Sequence, residues 1–236
     1  DVIKENLELN IKGQLHWNSV KGYPNKIMIM SSIKEMDIVI INIIIDTTKI
    51  VFINSNDIYN HFSGYLYERI CWFVRDRQAV ANINISSRGE NLSKEKLIKF
   101  LKDNDNKFQI DYSKIKQLKI YPNSQKKLLQ LADCCCSSLG QALKYNNEKH
   151  YKYMKYIKEK FYNYKDSYSG YGLKYVPGNT EPASEFQELL VYLNIKEKNV
   201  SFPPTRGTHK STLAGKVITI PSSNSANYSL TDKIIS

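Results

Sequence analysis

The run Ile38-Val-Ile-Ile-Asn-Ile-Ile-Ile45 decides the fold. Seven of these eight residues are β-branched, the side chains that pack best on a pleated surface, and the run closes on Asp46-Thr47-Thr48. A nearly continuous apolar strand must be covered on both faces, and the elements able to cover it are helices on either side of a sheet. Asn42 interrupts the run, which is far shorter than the ~20 residues a membrane helix needs. No signal peptide is visible.

Working outward, apolar residues recur at helical spacing on both flanks. Ile27, Met30 and Ile33 predict a helix over 25–36, and Tyr59, Phe62, Leu66, Ile70, Phe73 and Val74 predict a longer one from Asp57 to about Arg77. Strands are expected at Val80–Ser86 and Ile115–Ile120, with a helix capped by Ser93 between them and another from Lys126 to about Leu143. Gln14 to Trp17 reads as a compact loop or strand after a short helical start. Strands alternating with helices predict an α/β domain, helices packed on a mixed sheet. Past the turn residues Pro177 to Pro182, a capping box at Ser184–Gln187 opens a helix through Leu193. Strand-like runs and a final helix near Leu230 to Ile235 are expected to follow.

Composition narrows the class of partner. The 236 residues are 42% hydrophobic, enough for a real core, and 34 Lys and Arg against 23 Asp and Glu leave a net charge of +11. Such a balance favours a polyanion such as nucleic acid. Much of the excess lies between Lys144 and Lys174, where eight lysines meet three acids and tyrosines are interleaved, a composition suited to phosphates and unstacked bases or to a solvated helix face. Cys134, Cys135 and Cys136 are consecutive, so their side chains point about 100° apart on a helix and cannot share a metal. They read as small core residues of a protein in the reducing cytoplasm.

The candidate chemistry centres on Ser124-Gln-Lys-Lys-Leu-Leu-Gln-Leu-Ala-Asp133. Asp133 lies at the edge of an apolar helical stripe, where a carboxylate needs a cation, a metal or a hydrogen-bond donor. His16 with Trp17, Asp46 at a strand end, and Ser86-Ser-Arg-Gly-Glu90 at the next strand end are expected to converge with it, since an open α/β sheet places its ligand crevice at the carboxyl ends of its strands. Asp133 and Asp46 would be the metal ligands for Mg²⁺ or Mn²⁺, with His16 orienting water or phosphate.

Leu15-His-Trp17, the strand and long helix after it, Ser-Ser-Arg-Gly-Glu90, Ser124 followed by Gln130-Leu-Ala-Asp133, and Gly170-Tyr-Gly-Leu-Lys-Tyr-Val-Pro177 resemble, in order and spacing, the bacterial and phage family catalogued as domain of unknown function 3800. The resemblance implies an RNase H-like metal-dependent nuclease over residues 1–178, associated with mobile elements or phage defence, in which Arg88 and Lys174 contact phosphate. The family opens with a strand carrying Asp-Glu-Ser, which nothing before Ile11 supplies. Gln14 and Ser86 stand where its acids are expected. Asp133 is the clear survivor, so a degenerate nuclease is one reading and a non-catalytic nucleic-acid-binding or assembly subunit the alternative.

Residues 183–236 are similar to HicA-type mRNA interferase toxins. The resemblance is carried by the Phe186 helix, Pro204-Thr-Arg-Gly-Thr-His-Lys210, Gly215 to Pro221 and the closing Ser229 to Ile235. It implies a small α+β, double-stranded-RNA-binding-like domain that cleaves RNA without metal and answers to an antitoxin. His209 would be the acid/base, with Arg206 and Lys210 on the phosphate.

Overall fold

The computed structural model describes residues 15–50, 55–87, 94–195, 213–221 and 227–234. A 3₁₀ turn at Trp17–Ser19 leads into α1 (Tyr23–Lys34). Its first turn holds Pro24, where a missing N–H costs nothing, after Gly22 at φ 82°. β1 (Ile38–Asp46), α2 (Ser55–Asp76), β2 (Val80–Ser86), α3 (Lys94–Asp103), the single turn α4 (Asp105–Phe108) and β3 (Ile115–Tyr121) follow. Then come α5 (Lys127–Tyr145), α6 (Glu148–Ile157), β4 (Leu173–Val176), α7 (Ser184–Tyr192), β5 (Leu213–Pro221) and β6 (Asn227–Ile234). Asn146 ends α5 in the left-handed conformation, and the Asn147 side chain caps α6 by accepting from the His150 N–H.

The six strands form one mixed sheet in the order β3-β2-β6-β5-β1-β4. β4 runs parallel to β1, and β3 and β6 run parallel to β2. β5 is antiparallel to both β1 and β6 and is the reversed strand of the sheet.

β1 is covered on both sides. Ile38, Ile40 and Ile44 enter a core built with Ile29, Met30 and Ile33 of α1, Leu139 and the cysteines of α5, Met154 of α6 and Phe186 of α7. Ile41, Ile43 and Ile45 enter the opposite core with Phe62, Leu66, Ile70 and Phe73 of α2, Ile83 of β2 and Phe108. The architecture is therefore α/β, helices on both faces of a mixed sheet.

Of the segment expected to form a small C-terminal domain, α7 shares the core of Trp17 and Ile40, and β5 and β6 pair within the central sheet. The helix expected near Leu230 to Ile235 is instead strand β6. Apolar Tyr228, Leu230 and Ile234 fall at even positions opposite polar Asn227, Ser229, Thr231 and Lys233, a two-residue period broken at Asp232. The expected start before Gln14 and the Ser93 cap lie outside the described residues.

Candidate functional site

Asp133 sits in the second turn of α5 and is 1% exposed, not at the edge of the stripe. The Leu15–Trp17 backbone lies across it and closes it off. Gln130, one turn earlier on α5, accepts the Leu15 N–H at 2.8 Å, and Asp133 Oδ2 accepts the Trp17 N–H at 3.2 Å. Ser137, one turn later, donates its hydroxyl to Asp133 Oδ1 at 3.0 Å. Trp17 is fully buried, its ring edge-on to Tyr153 of α6 at 5.1 Å, with the Lys26 ammonium 4.8 Å from the ring centre.

His16 is brought to Asp133, as expected. Its Nδ1 lies 3.4 Å from Asp133 Oδ2, and the imidazole remains 39% exposed. The same nitrogen is 3.3 Å from the Asn18 N–H. A lone pair on Nδ1 suits Asn18 and a proton on Nδ1 suits Asp133, so the two contacts favour opposite protonation of one atom. In either arrangement Nδ1 is engaged with the protein, and Nε2 is the nitrogen left to act on a ligand.

Asp46 is equally buried but has its own partners. Tyr175 donates to Oδ2 at 2.6 Å, and Thr48 donates to Oδ1 through its hydroxyl at 2.6 Å and its N–H at 3.0 Å. The Lys49 ammonium is 3.4 Å away. Burial pushes this carboxyl up, but the hydrogen bonds from Thr48 and Tyr175, with Lys49, outweigh burial and hold it below the usual carboxylate range. The contacts described for Asp46 and for Asp133 involve different residues.

Lys174 lies on the other face of the sheet. It extends over Tyr65 of α2, beside the buried pair Glu68 and Arg69. Burial pulls its ammonium below the usual lysine range, and Arg69 adds to this. Arg69 is held by Glu68 and the Gly170 carbonyl and stacks 3.9 Å over Trp72. Arg88, Glu90, Arg206, His209 and Lys210 lie outside the described residues.

Among the described residues no group of three or more His, Cys, Asp and Glu side chains forms that could hold a metal. The donors described at Asp133 are one carboxylate, one imidazole and one hydroxyl, short of the paired carboxylates that hold Mg²⁺ or Mn²⁺ for phosphodiester chemistry. Cys71, Cys134, Cys135 and Cys136 are buried and form no disulfide among the described residues.

The basic segment resolves into two roles. Tyr151, Tyr153, Tyr162 and Tyr175 are core residues and present no face for stacking, whereas Lys149, Lys152 and Lys155 project from the exposed side of α6. No described helix is long and apolar enough to cross a membrane. Sequence reasoning missed Gln130 and Ser137. Their three- and four-residue spacing from Asp133 on one helix was the available signal.

No family model matches the chain, and comparison with curated proteins and with solved structures returns no match.

Proposed function

We propose that the protein acts on nucleic acid and cleaves RNA phosphodiester bonds at a site centred on His16 and Asp133. The α/β sheet covered on both faces is of the kind an RNase H-like domain requires, in keeping with the resemblance to the family of domain of unknown function 3800. The observation that carries the reading is the contact between a buried carboxylate and a partly exposed imidazole, Asp133 Oδ2 to His16 Nδ1 at 3.4 Å. A carboxylate there orients the ring. His16 Nε2 then takes the proton of a ribose 2′-hydroxyl, and O2′ attacks the neighbouring phosphorus. The bond to the 5′-oxygen breaks, and that oxygen leaves with a proton returned by the imidazolium or by water. The HicA-like resemblance assigns His209 the same kind of role in the C-terminal segment, with a protein antitoxin as partner.

One observation favours a binding subunit instead. Asp133 is 1% exposed, and both of its oxygens already accept hydrogen bonds from the fold. A carboxylate so engaged serves equally well to pin the Leu15–Trp17 turn.

Labelled RNA and DNA incubated with Mg²⁺, Mn²⁺ or EDTA separate the readings. Cleavage of RNA that survives EDTA and falls by about 10² or more in His16→Ala is the expected result. Asp133→Asn tests the orienting carboxylate, and an unchanged melting temperature shows that its turn has held. Loss of activity in His209→Ala alone would move the chemistry to the C-terminal segment. Absence of cleavage under every condition, with salt-sensitive binding retained, would establish the binding subunit.

A further inference from the structure

We infer that the groove between α1 and α6 is the seat of a single-stranded nucleic-acid segment, its phosphates held by Lys34, Lys152 and Lys155 and one unstacked base resting on Tyr156. This deepens the reading above and rests on its nucleic-acid partner.

The groove has a volume of about 350 Å³ and is lined by these four residues. Lys34 stands in the last turn of α1, and Lys152, Lys155 and Tyr156 share one side of α6 at three- and four-residue spacing. Three ammonium groups converging on one depression repel one another. In an isolated fold each would be better placed beside an acid. Glu148 meets Lys152 at 3.6 Å in an exposed pair of little strength, while Lys34 and Lys155 have no ion pair among the described residues. Glu35, Asp37 and Glu159 are the other acids near these helix ends in sequence. An anionic strand supplies the missing countercharge and releases its own counterions on binding.

Tyr156 decides between single strand and duplex. It is partly buried with its inner side packed on the core, unlike its enclosed neighbours Tyr151, Tyr153 and Met154. An aromatic edge beside lysines suits one splayed base next to its phosphates, the combination that single-strand channels use. α6 also joins the groove to the candidate site, because Tyr153 on its buried side supports the Trp17 ring next to His16.

The test is fluorescence anisotropy of the full chain with labelled oligo-U and oligo-dT on the order of ten nucleotides long, and with a duplex of the same length. Titrations would run between about 50 and 200 mM salt. Lys34→Gln, Lys152→Gln and Lys155→Gln combined should lower the slope of log K against log salt by about 2, at ~0.7 per lost phosphate contact on a single strand. Tyr156→Leu should weaken single-strand binding roughly tenfold and leave the salt slope unchanged. Lys99→Gln, Lys102→Gln and Lys119→Gln combined remove the same charge elsewhere and should leave the slope nearly intact. An unchanged slope in the groove variant, equal losses in both triple variants, or tighter duplex than single-strand binding would each overturn the inference while the nucleic-acid reading stands. Absence of binding to any oligonucleotide would overturn both.

Discussion

The Tyr175 hydroxyl donates to Asp46 Oδ2 at 2.6 Å and accepts the Ala183 N–H at 2.9 Å. One buried oxygen thus ties the end of β1 to the start of α7, across 129 residues of sequence on one side and eight on the other. Tyr175→Phe leaves a buried carboxylate and a buried N–H each short of a partner, and should cost about 1–3 kcal/mol in urea denaturation. A loss below a few tenths would show that water replaces the hydroxyl.

The same carboxylate sets an acid limb on stability. Its folded-state pKa is depressed, so its contribution is complete above the unfolded value near ~3.9 and is lost as pH falls through the folded value. Urea midpoints of wild type and Tyr175→Phe should draw closer as pH falls below the unfolded value, because the protonated acid no longer rewards the tyrosine donor with a charge-assisted bond, while the share due to the Ala183 N–H remains. A gap that stays constant with pH would refute this coupling.

Gly64, inside α2, should reject alanine. Replacing glycine in a helix interior ordinarily gains about 1 kcal/mol. Here a Cβ would stand 2.5 Å from ring carbons of Phe108, which is fully buried and has nowhere to retreat. Overpacking wins, and Gly64→Ala should lower stability by about 1–3 kcal/mol in denaturant titration. A stabilised variant would show that the α4 turn carrying Phe108 gives way.

The Glu68–Arg69 pair should be worth more unbroken than its net contribution suggests. Arg69→Met strands Glu68, whose carboxyl burial already pushes up, with Lys174 as its remaining cation, and should cost on the order of 3 kcal/mol. Adding Glu68→Gln to that variant should recover part of the loss. A double-mutant cycle with no coupling would show that the stacking of Arg69 on Trp72, and not the charge pair, carries the stability.

The strand at Ile38–Asp46 was legible because its residues have no alternative. A β-branched run with both faces apolar fits one environment. β6 was not, since its apolar residues also satisfy a four-residue spacing over a short window, and pairing with β2 and β5 decided the matter. The approach of His16 to Asp133 was legible. The closure over Asp133 was not, because the Trp17 N–H that caps it lies 116 residues away in sequence and only folding reports it. Lys174 was expected to contact phosphate, and strand alternation turns it to the face of the sheet opposite the Asp133 core.

The order of strands in the sheet carries a kinetic consequence. β4 with β1, and β2 with β3, are two parallel pairs separated by β5 and β6, the later of the described strands in sequence order. As the chain leaves the ribosome, α1 to α7 can collect around two half-sheets whose inner edges have no mate, each a row of open N–H and C=O groups. The sheet is continuous only through β5 and β6, whose pairing with β1 and β2 joins strands far apart in sequence, the kind of non-local contact that slows folding.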